Sequence, residues 1–363
     1  MGEFLNMYGE ALARCAFCHD QCMSATPEVV VTGDQSLVVS RVANLIRLAG
    51  GGQLQWSPEL ARRLFFGLTD ELQFQYCLAA KEGHHFEPFL RAAREEAVRR
   101  QLAPTSVLAV AEHVRLSGNI FGRREELALP VGPAPGGPIL VHDAATRVLT
   151  PGALAAARDL LGAVGPAPGE LAVPSCGFVE FDLGLTHQAH AAASQAHAAL
   201  AGLPDGPVVT TDPVLALALR KFYPQWGFVL NRPVLHISEY LAQRAEALPG
   251  FRPQAVTSVY HDPAALARGL GVVAPPRTLL ARIPGMHLAE PITSGIRARG
   301  DGPLMGYPDE FVAAAITRAR LAELRTTGAA VIITCSPYSV ANLSGVSDGF
   351  PVIDLTEFLC QAR

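Results

Sequence analysis

The feature that most constrains the fold is an alternation of strands and helices that starts near residue 139. Short apolar segments of strand length, such as ILVHDA at 139–144 and AAVIITCSP at 329–337, alternate with segments of helical periodicity. This alternation predicts parallel α/β layers, because parallel strands need a crossover connection that is usually a helix. Two of the strands end in similar turns, VVTTDP at 208–213 and VIITCSP at 331–337. The repeated turn predicts a duplicated α/β domain.

The N-terminal third has a different pattern. QSLVVSRVANLIRLAG at 35–50 has helical spacing and ends at a glycine, while FLRAAREEAVRRQ at 89–101 predicts an amphipathic helix whose charges face solvent. LPVGPAPGGP at 129–138 has the composition of a linker. With 363 residues, the chain is long enough for two or three domains. We predict a helical domain followed by two α/β copies, with boundaries 1–125, 126–247 and 248–363.

Composition excludes several classes of protein. Apolar residues make up 49% and charged residues 17%, which is enough for a core and argues against disorder. A net charge of −4 gives no electrostatic reason to expect nucleic acid. The N-terminus MGEFLNMYGE lacks the apolar run of a secretory signal, and no apolar stretch approaches the ~20 residues of a membrane helix. We therefore expect a cytoplasmic protein that meets membranes only through a partner.

The chain has seven cysteines, an odd number that does not suggest a disulfide scaffold. Three of them, Cys15, Cys18 and Cys22, are clustered and are followed by Thr26 and a proline. Three thiolates are one fewer than a tetrahedral metal site needs. The spacing i, i+3, i+7 is also that of a buried helix face, and zinc completed by His19 or Cys77 is another alternative.

Five phrases in the chain point to a family. In order they are GNIFG (118–122), VLHISEYLA (234–242), VYHDPAALARG (259–269), APPRTLLARIPGMHLAE (274–290) and TGAAVIITCSPYSVANL (327–343). The chain resembles iron–sulfur subunits with paired cysteine-rich CCG domains. That family includes heterodisulfide reductase D-type subunits and the iron–sulfur subunits of glycolate oxidase, lactate-utilisation and anaerobic glycerol-3-phosphate dehydrogenase complexes.

The resemblance implies an α+α/β fold class. A helical ferredoxin-like domain with two four-cysteine runs would precede two α/β domains, each with a CCG turn and a Cys-Pro-x-Cys turn. Here most of those cysteines are replaced. The matching turns read Ser175-Cys176-Gly177, Asp212-Pro213-Val214-Leu215, His261-Asp262-Pro263-Ala264, Gly300-Asp301-Gly302 and Ser336-Pro337-Tyr338-Ser339. Because iron–sulfur clusters need several converging thiolates, we expect neither α/β domain to hold the clusters or the disulfide chemistry of its relatives.

The N-terminal runs resemble those of two-cluster ferredoxins, in which the last cysteine of each run binds the other run's cluster. The first run puts Thr26 at its fourth position. GLTDELQFQYC (67–77) fits the second run, with Cys77 at the fourth position. Under this rule, one cluster has all four of its cysteine ligands, and the other cluster has none of them. The ligands present are Cys15, Cys18, Cys22 and Cys77, and the positions lost are Gly67, Asp70, Gln73 and Thr26.

These patterns lead to three functional hypotheses. The first is an electron-transfer subunit with one 4Fe-4S cluster that exchanges electrons with a flavoprotein oxidoreductase. The second is a non-catalytic assembly or regulatory scaffold with a structural metal, either zinc or iron–sulfur. The third is a small-molecule site in the altered turns around His142, Asp212, His261 and Asp301. Cys176, Cys335 and Cys360 are expected to be buried or incidental thiols, and His84-His85 is a further candidate neighbour of the cluster.

Overall fold

Two parallel sheets with the same strand order form the C-terminal two thirds of the chain. The computed structural model describes residues 2–79 and 85–363, with side chains from residue 8 onward within those ranges. The first sheet has the order β2-β1-β3-β4 and the second β6-β5-β7-β8. The strands are β1 Ile139–His142, β2 Gly169–Ala172, β3 Val208–Thr210, β4 Val234–His236, β5 Thr257–Tyr260, β6 His287–Ala289, β7 Val331–Thr334 and β8 Val352–Asp354. The predicted mixture of helices and parallel strands is confirmed.

The N-terminal segment is helical over its described residues. Its helices are α1 Gly2–Ala16, α2 Pro27–Thr32, α3 Val39–Gly50, α4 Pro58–Phe66, α5 Glu87–Arg99 and α6 Thr105–Ser117. Helix α3 ends at a glycine, as its sequence predicts. Helix α4 begins after Ser57, whose side chain accepts a hydrogen bond from the amide of Leu60. This is the usual N-cap contact, which satisfies one of the free amides at a helix start.

Helices connect the strands of both sheets. Those of the first sheet are α7 Ala144–Leu149, α8 Pro151–Val164, α9 Phe178–Asp182, α10 Thr186–Ala201, α11 Pro213–Leu217, α12 Tyr223–Gln225 and α13 Ile237–Ala242. Those of the second are α14 Ala274–Leu280, α15 Glu310–Arg325, α16 Pro337–Gly345 and α17 Leu355–Gln361. The similar turns at 208–213 and 331–337 follow β3 and β7, which hold equivalent places in the two sheets. The domain boundaries themselves stay a prediction.

The prediction that the charges of α5 face solvent is wrong for two of its arginines. Arg94 is 3% exposed and Arg91 is 8% exposed. The guanidinium of Arg94 donates to the carbonyls of Leu64 and Gly67 and to the carbonyl and carboxylate of Asp182. The carboxylate of Asp182, at the end of α9, also accepts from Arg91 at 2.9 Å. Burial of these charges is tolerated because the carboxylate and carbonyl oxygens replace water.

A third buried guanidinium connects the N-terminal segment to the second sheet. Arg268 lies in a π-helical turn, Ala265–Gly269, after β5. It donates to the carbonyl of Asp70, to the carbonyl of Ala298 and, at 2.8 Å, to the carboxylate of Asp70. The segment around residues 67–72 is therefore held from both sides, by Arg94 and by Arg268.

Replacing Arg268 with Met should destabilise the protein strongly. The change keeps most of the apolar stem and leaves the half-buried Asp70 carboxylate without its partner. Breaking one side of a buried pair costs about 3–5 kcal/mol. Chemical denaturation should show this loss, whereas Arg115→Met, which breaks an exposed pair with Glu112, should leave the free energy of unfolding unchanged within error. Equal effects of the two variants would contradict this role of Arg268.

Candidate functional site

The four cysteines predicted to share a site line one cavity. Its volume is about 40 Å³, and its wall includes Cys15, Cys18, Cys22 and Cys77. Cys15 lies in the last turn of α1, and Cys77 follows a short 3₁₀ helix, Gln73–Tyr76. The structure thus brings together residues from two segments of the chain that are far apart in sequence. Their role as ligands stays a prediction.

The local backbone explains why three cysteines reach the same cavity. Helix α1 ends at Ala16, and Asp20 adopts a left-handed backbone conformation with φ of 57°. The chain therefore turns sharply between Cys18 and Cys22. The hydroxyl of Thr26 then donates to the carbonyl of Cys22 at 3.0 Å, which ties the turn to the start of α2. Cys15, Cys18 and Cys22 are thus not three positions on one helix face, and the alternative of a core stripe is wrong.

The donor set fits an iron–sulfur group. Within residues 2–79 and 85–363, no three or more His, Cys, Asp or Glu side chains are placed to hold a single metal ion. The four cysteines line the wall of one cavity. Four cysteine thiolates are the usual ligands of a 4Fe-4S cluster. His19, the alternative zinc ligand, is exposed and does not line the cavity.

Two thiols of this cavity are poor acids on their own. Burial, together with the neighbouring thiols, raises the pKa of Cys15 and of Cys22 to about 12. A bound cation would favour the thiolate and reverse this effect. The side chains of Phe74 and Phe86 form an apolar part of the wall of the cysteine cavity. His85 stacks on Phe74 with ring centroids 4.1 Å apart, and His84 lies outside the described residues.

The lost positions of the second cluster do not share a cavity. Gly67 and Asp70 line a larger cavity, Gln73 lines the cysteine cavity, and Thr26 is buried as the N-cap of α2. The side-chain oxygen of Gln73 is buried with no hydrogen-bond partner among the described residues. Glycine, aspartate, glutamine and threonine have no sulfur, so these four residues cannot replace the thiolates that a cluster needs. The structure thus offers no ligand set at the second run.

A buried carboxyl lies near these lost positions. Glu28 is 1% exposed, and its Oε1 is 4.0 Å from the position that a Cβ on Gly67 would take. Burial, which outweighs the other influences, raises the pKa of Glu28 to about 8, and the nearby Asp70 carboxylate adds to the rise. A protonated carboxyl is cheaper to bury than a carboxylate. Sequence reasoning missed this residue, because nothing in PEVVVT marks Glu28 as buried.

The altered turns of the first sheet form a group of buried acids. β1 and β3 are neighbours, so the residues that follow them, Asp143 and Asp212, lie at the same edge of the sheet. Burial raises the pKa of both carboxyls, and that of the Cys176 thiol beside them. Glu180 has a pKa of about 7, also because it is buried. Asp143 and Asp212 cap α7 and α11 through one oxygen each, which gives them a structural role.

In the altered turns of the second sheet, the buried carboxylates are paired with histidine or arginine side chains. His261 contacts Asp301 at 3.0 Å through Nε2, and its Nδ1 is 3.2 Å from the buried Arg320. The Asp262 carboxylate accepts two hydrogen bonds from Arg277, both at 2.8 Å. The four residues of the small-molecule hypothesis are therefore not one site. His142 contacts Glu170 and Arg147, and of the four residues, Asp301 is the one that lines the larger cavity.

Comparison with known proteins supports the predicted resemblance. A fumarate reductase (CoM/CoB) subunit of Methanothermobacter marburgensis is 33% identical over 132 residues, which is 36% of this chain and 26% of that protein. A dihydromethanophenazine:CoB–CoM heterodisulfide reductase subunit of Methanosarcina barkeri is 32% identical over 146 residues, 38% of this chain and 35% of that protein. The probable iron-sulfur-binding oxidoreductase FadF of Bacillus subtilis is 30% identical over 166 residues, 43% of this chain and 23% of that protein.

These homologues confirm the resemblance to heterodisulfide-reductase-type iron–sulfur subunits, although the chain spans only a quarter to a third of their length. No protein-family model matches the chain. The crystal structure of a hypothetical protein from Helicobacter pylori is similar in fold, with a TM-score of 0.53 and 11% identity over 99% of this chain and 76% of that one. None of the helices within residues 2–79 and 85–363 combines the length and hydropathy needed to span a bilayer.

Glu28 should make the stability of the protein depend on pH. Its folded-state pKa of about 8 lies above the usual 4.5, so the folded state holds a proton that the unfolded state releases. The associated stability is complete below about pH 4.5 and is lost as pH rises towards 8. Relative to wild type, Glu28→Gln should gain on the order of a few kcal/mol between pH 4.5 and 8 in urea unfolding. A constant difference over this range would show that Glu28 titrates normally.

Proposed function

Because parts of the chain are homologous to iron–sulfur oxidoreductase subunits, we propose that this protein is an electron-transfer subunit with one 4Fe-4S cluster. Cys15, Cys18, Cys22 and Cys77 would bind that cluster. The N-terminal segment would serve as a ferredoxin-like domain, and the two α/β units, with their altered turns, as a docking scaffold. The domains would be 1–125, 126–247 and 248–363.

The observation that carries this proposal is the meeting of four cysteines from two segments at one cavity. The other three cysteines lie elsewhere and have ordinary partners. The hydroxyl of Tyr260 is 2.8 Å from the sulfur of Cys335, and Cys360 donates to the carbonyl of Ala156 at 3.6 Å. Cys176 lies among the buried acids of the first sheet. The four cysteines at the cavity are the same four that the crossed-ligand rule assigns to one cluster.

The cavity residues would carry out distinct tasks. A 4Fe-4S cluster supplies one-electron chemistry, and its potential responds to burial, hydrogen bonds and solvent exposure. Cys15 and Cys22 would each release a proton on binding, because both thiols are protonated at neutral pH in the free protein. Phe74 and Phe86 would limit access of water. Cys18 is exposed and would form the side nearest a redox partner.

A protein partner is proposed on two grounds. Relatives at about 30% identity are named as subunits of reductases. Exposed apolar side chains also lie next in sequence to the cavity cysteines, with Phe17 73% exposed and Leu78 78% exposed. Exposed apolar groups near a functional site commonly mark a protein contact. We propose a flavoprotein oxidoreductase as the partner, since the chain has no dinucleotide fingerprint or P-loop of its own.

Anaerobic purification followed by iron, sulfide and zinc analysis tests the proposal, together with EPR of the dithionite-reduced protein. The wild type should hold about four irons and four sulfides per chain, with a reduced-cluster signal. Cys77→Ser should lose most of the iron or shift the signal, because it removes the ligand that comes from the second run.

Cys360→Ser is the matched control, since Cys360 lies on α17, outside the cysteine cavity. It should keep the iron content and the signal of the wild type. One zinc per chain, or no metal in the wild type, would instead support a scaffold with a structural metal or none. Full iron in Cys77→Ser with an unchanged EPR signal would remove Cys77 from the ligand set.

A further inference from the structure

A cavity larger than the cysteine cavity lies where three parts of the chain meet. Its volume is about 100 Å³. Its wall combines residues of the N-terminal helical segment and of the α/β units around the first and second sheets. Examples are Phe65, Phe178 and Tyr338, in that order. Several positions that hold cysteines in the resembled family also line it, among them Gly67 and Asp70. The functional proposal gives this cavity no role.

One wall of the cavity carries two arginines. Arg91 and Arg94 share a single carboxylate, that of Asp182. Arg94 makes four hydrogen bonds, two to Asp182 and two to the backbone carbonyls of Leu64 and Gly67. Arg91 uses only Nε, at 2.9 Å from Asp182, and no described residue accepts a hydrogen bond from its two Nη groups. Arg91 is 8% exposed and lines the cavity.

The surroundings of Arg91 are aromatic. Its guanidinium carbon lies 5.6–5.7 Å from the ring centroids of Phe178, Phe181 and Phe222, and two of these rings also line the cavity. The rings fix the guanidinium in place and exclude water from it, which strengthens its interaction with an anion. A guanidinium with two free donor groups matches the geometry of a carboxylate.

The carboxylates of the cavity favour one orientation of a bound anion. Asp70 is paired with Arg268, and Asp301 contacts His261. Glu71 also lines the wall and has no ion pair with a described residue. These three groups repel a second carboxylate, so the anionic end of a ligand is directed to Arg91. The apolar lining around Leu304 and Met305 suits an uncharged body.

We propose that this cavity binds a small organic monocarboxylate with an apolar body of about three carbons, its carboxylate held by Arg91. Cavities of about 150 Å³ bind benzene, so a cavity of about 100 Å³ suits a body smaller than an aromatic ring. Binding needs no iron and goes beyond the electron-transfer proposal. The cluster and the carboxylate site can therefore fail independently.

Isothermal titration calorimetry on the full chain, with and without reconstituted iron, tests this site with butyrate as the probe. Butyramide is the neutral control of the same shape. Butyrate should bind at millimolar concentration or below, about tenfold or more tighter than the amide, because hydrogen bonds to charged groups are the stronger ones. Arg91→Gln should remove this preference, while Arg99→Gln, which changes an exposed arginine on the same helix, should keep it.

Met305→Trp provides a second variant in case Arg91→Gln does not fold. Met305 is half-buried and lines the cavity, so the larger side chain should fill the space and reduce binding of both probes at least about tenfold, with an unchanged circular dichroism spectrum. Equal binding of acid and amide, full binding to a folded Arg91→Gln or Met305→Trp protein, or no binding of butyrate to the wild type would each overturn the proposal.

Discussion

The position of Cys77 depends on two buried guanidinium groups. Arg94, on α5, holds the carbonyl of Gly67, and Arg268, from the second sheet unit, holds Asp70. Between them they fix the segment that leads into the 3₁₀ helix before Cys77. Charged groups stay buried only when their partners replace water, so these contacts tolerate little movement. The cysteine cavity of the N-terminal segment thus relies on contacts with both sheet units.

The turns that match cysteine-bearing turns of the resembled family hold buried polar groups of two kinds. In the second sheet unit, histidine, arginine and carboxylate side chains form compensated networks around His261 and Asp262. In the first unit and beside the 67–77 segment, burial raises the pKa of the carboxyls of Asp143, Asp212 and Glu28. A pKa of about 8 keeps Glu28 protonated at neutral pH, whereas Asp143 and Asp212 accept backbone hydrogen bonds as helix caps. Whether the α/β units hold clusters of their own stays a prediction.

Much of the fold could be predicted from the sequence, because apolar periodicity and turn residues act locally. The repeated turns at 208–213 and 331–337 mark equivalent strands, β3 and β7. The short strands β4 and β8 were not predicted, because each passes directly into a helix with no turn residues between them. The buried charges of α5 were also missed. Arg94 is four residues after the buried Leu90 and three before Ala97, a helical spacing that puts it on the core side. Its partner Asp182 could be found only from the tertiary structure.

The central claim is that one cluster binds to four cysteines of two crossed runs. Native mass spectrometry of the anaerobically purified chain tests it most directly, because it counts bound groups on each intact molecule. The account predicts a single dominant species whose added mass equals one cluster of four irons and four sulfides. A mass increase of one zinc, of two clusters, or no increase at all would contradict it.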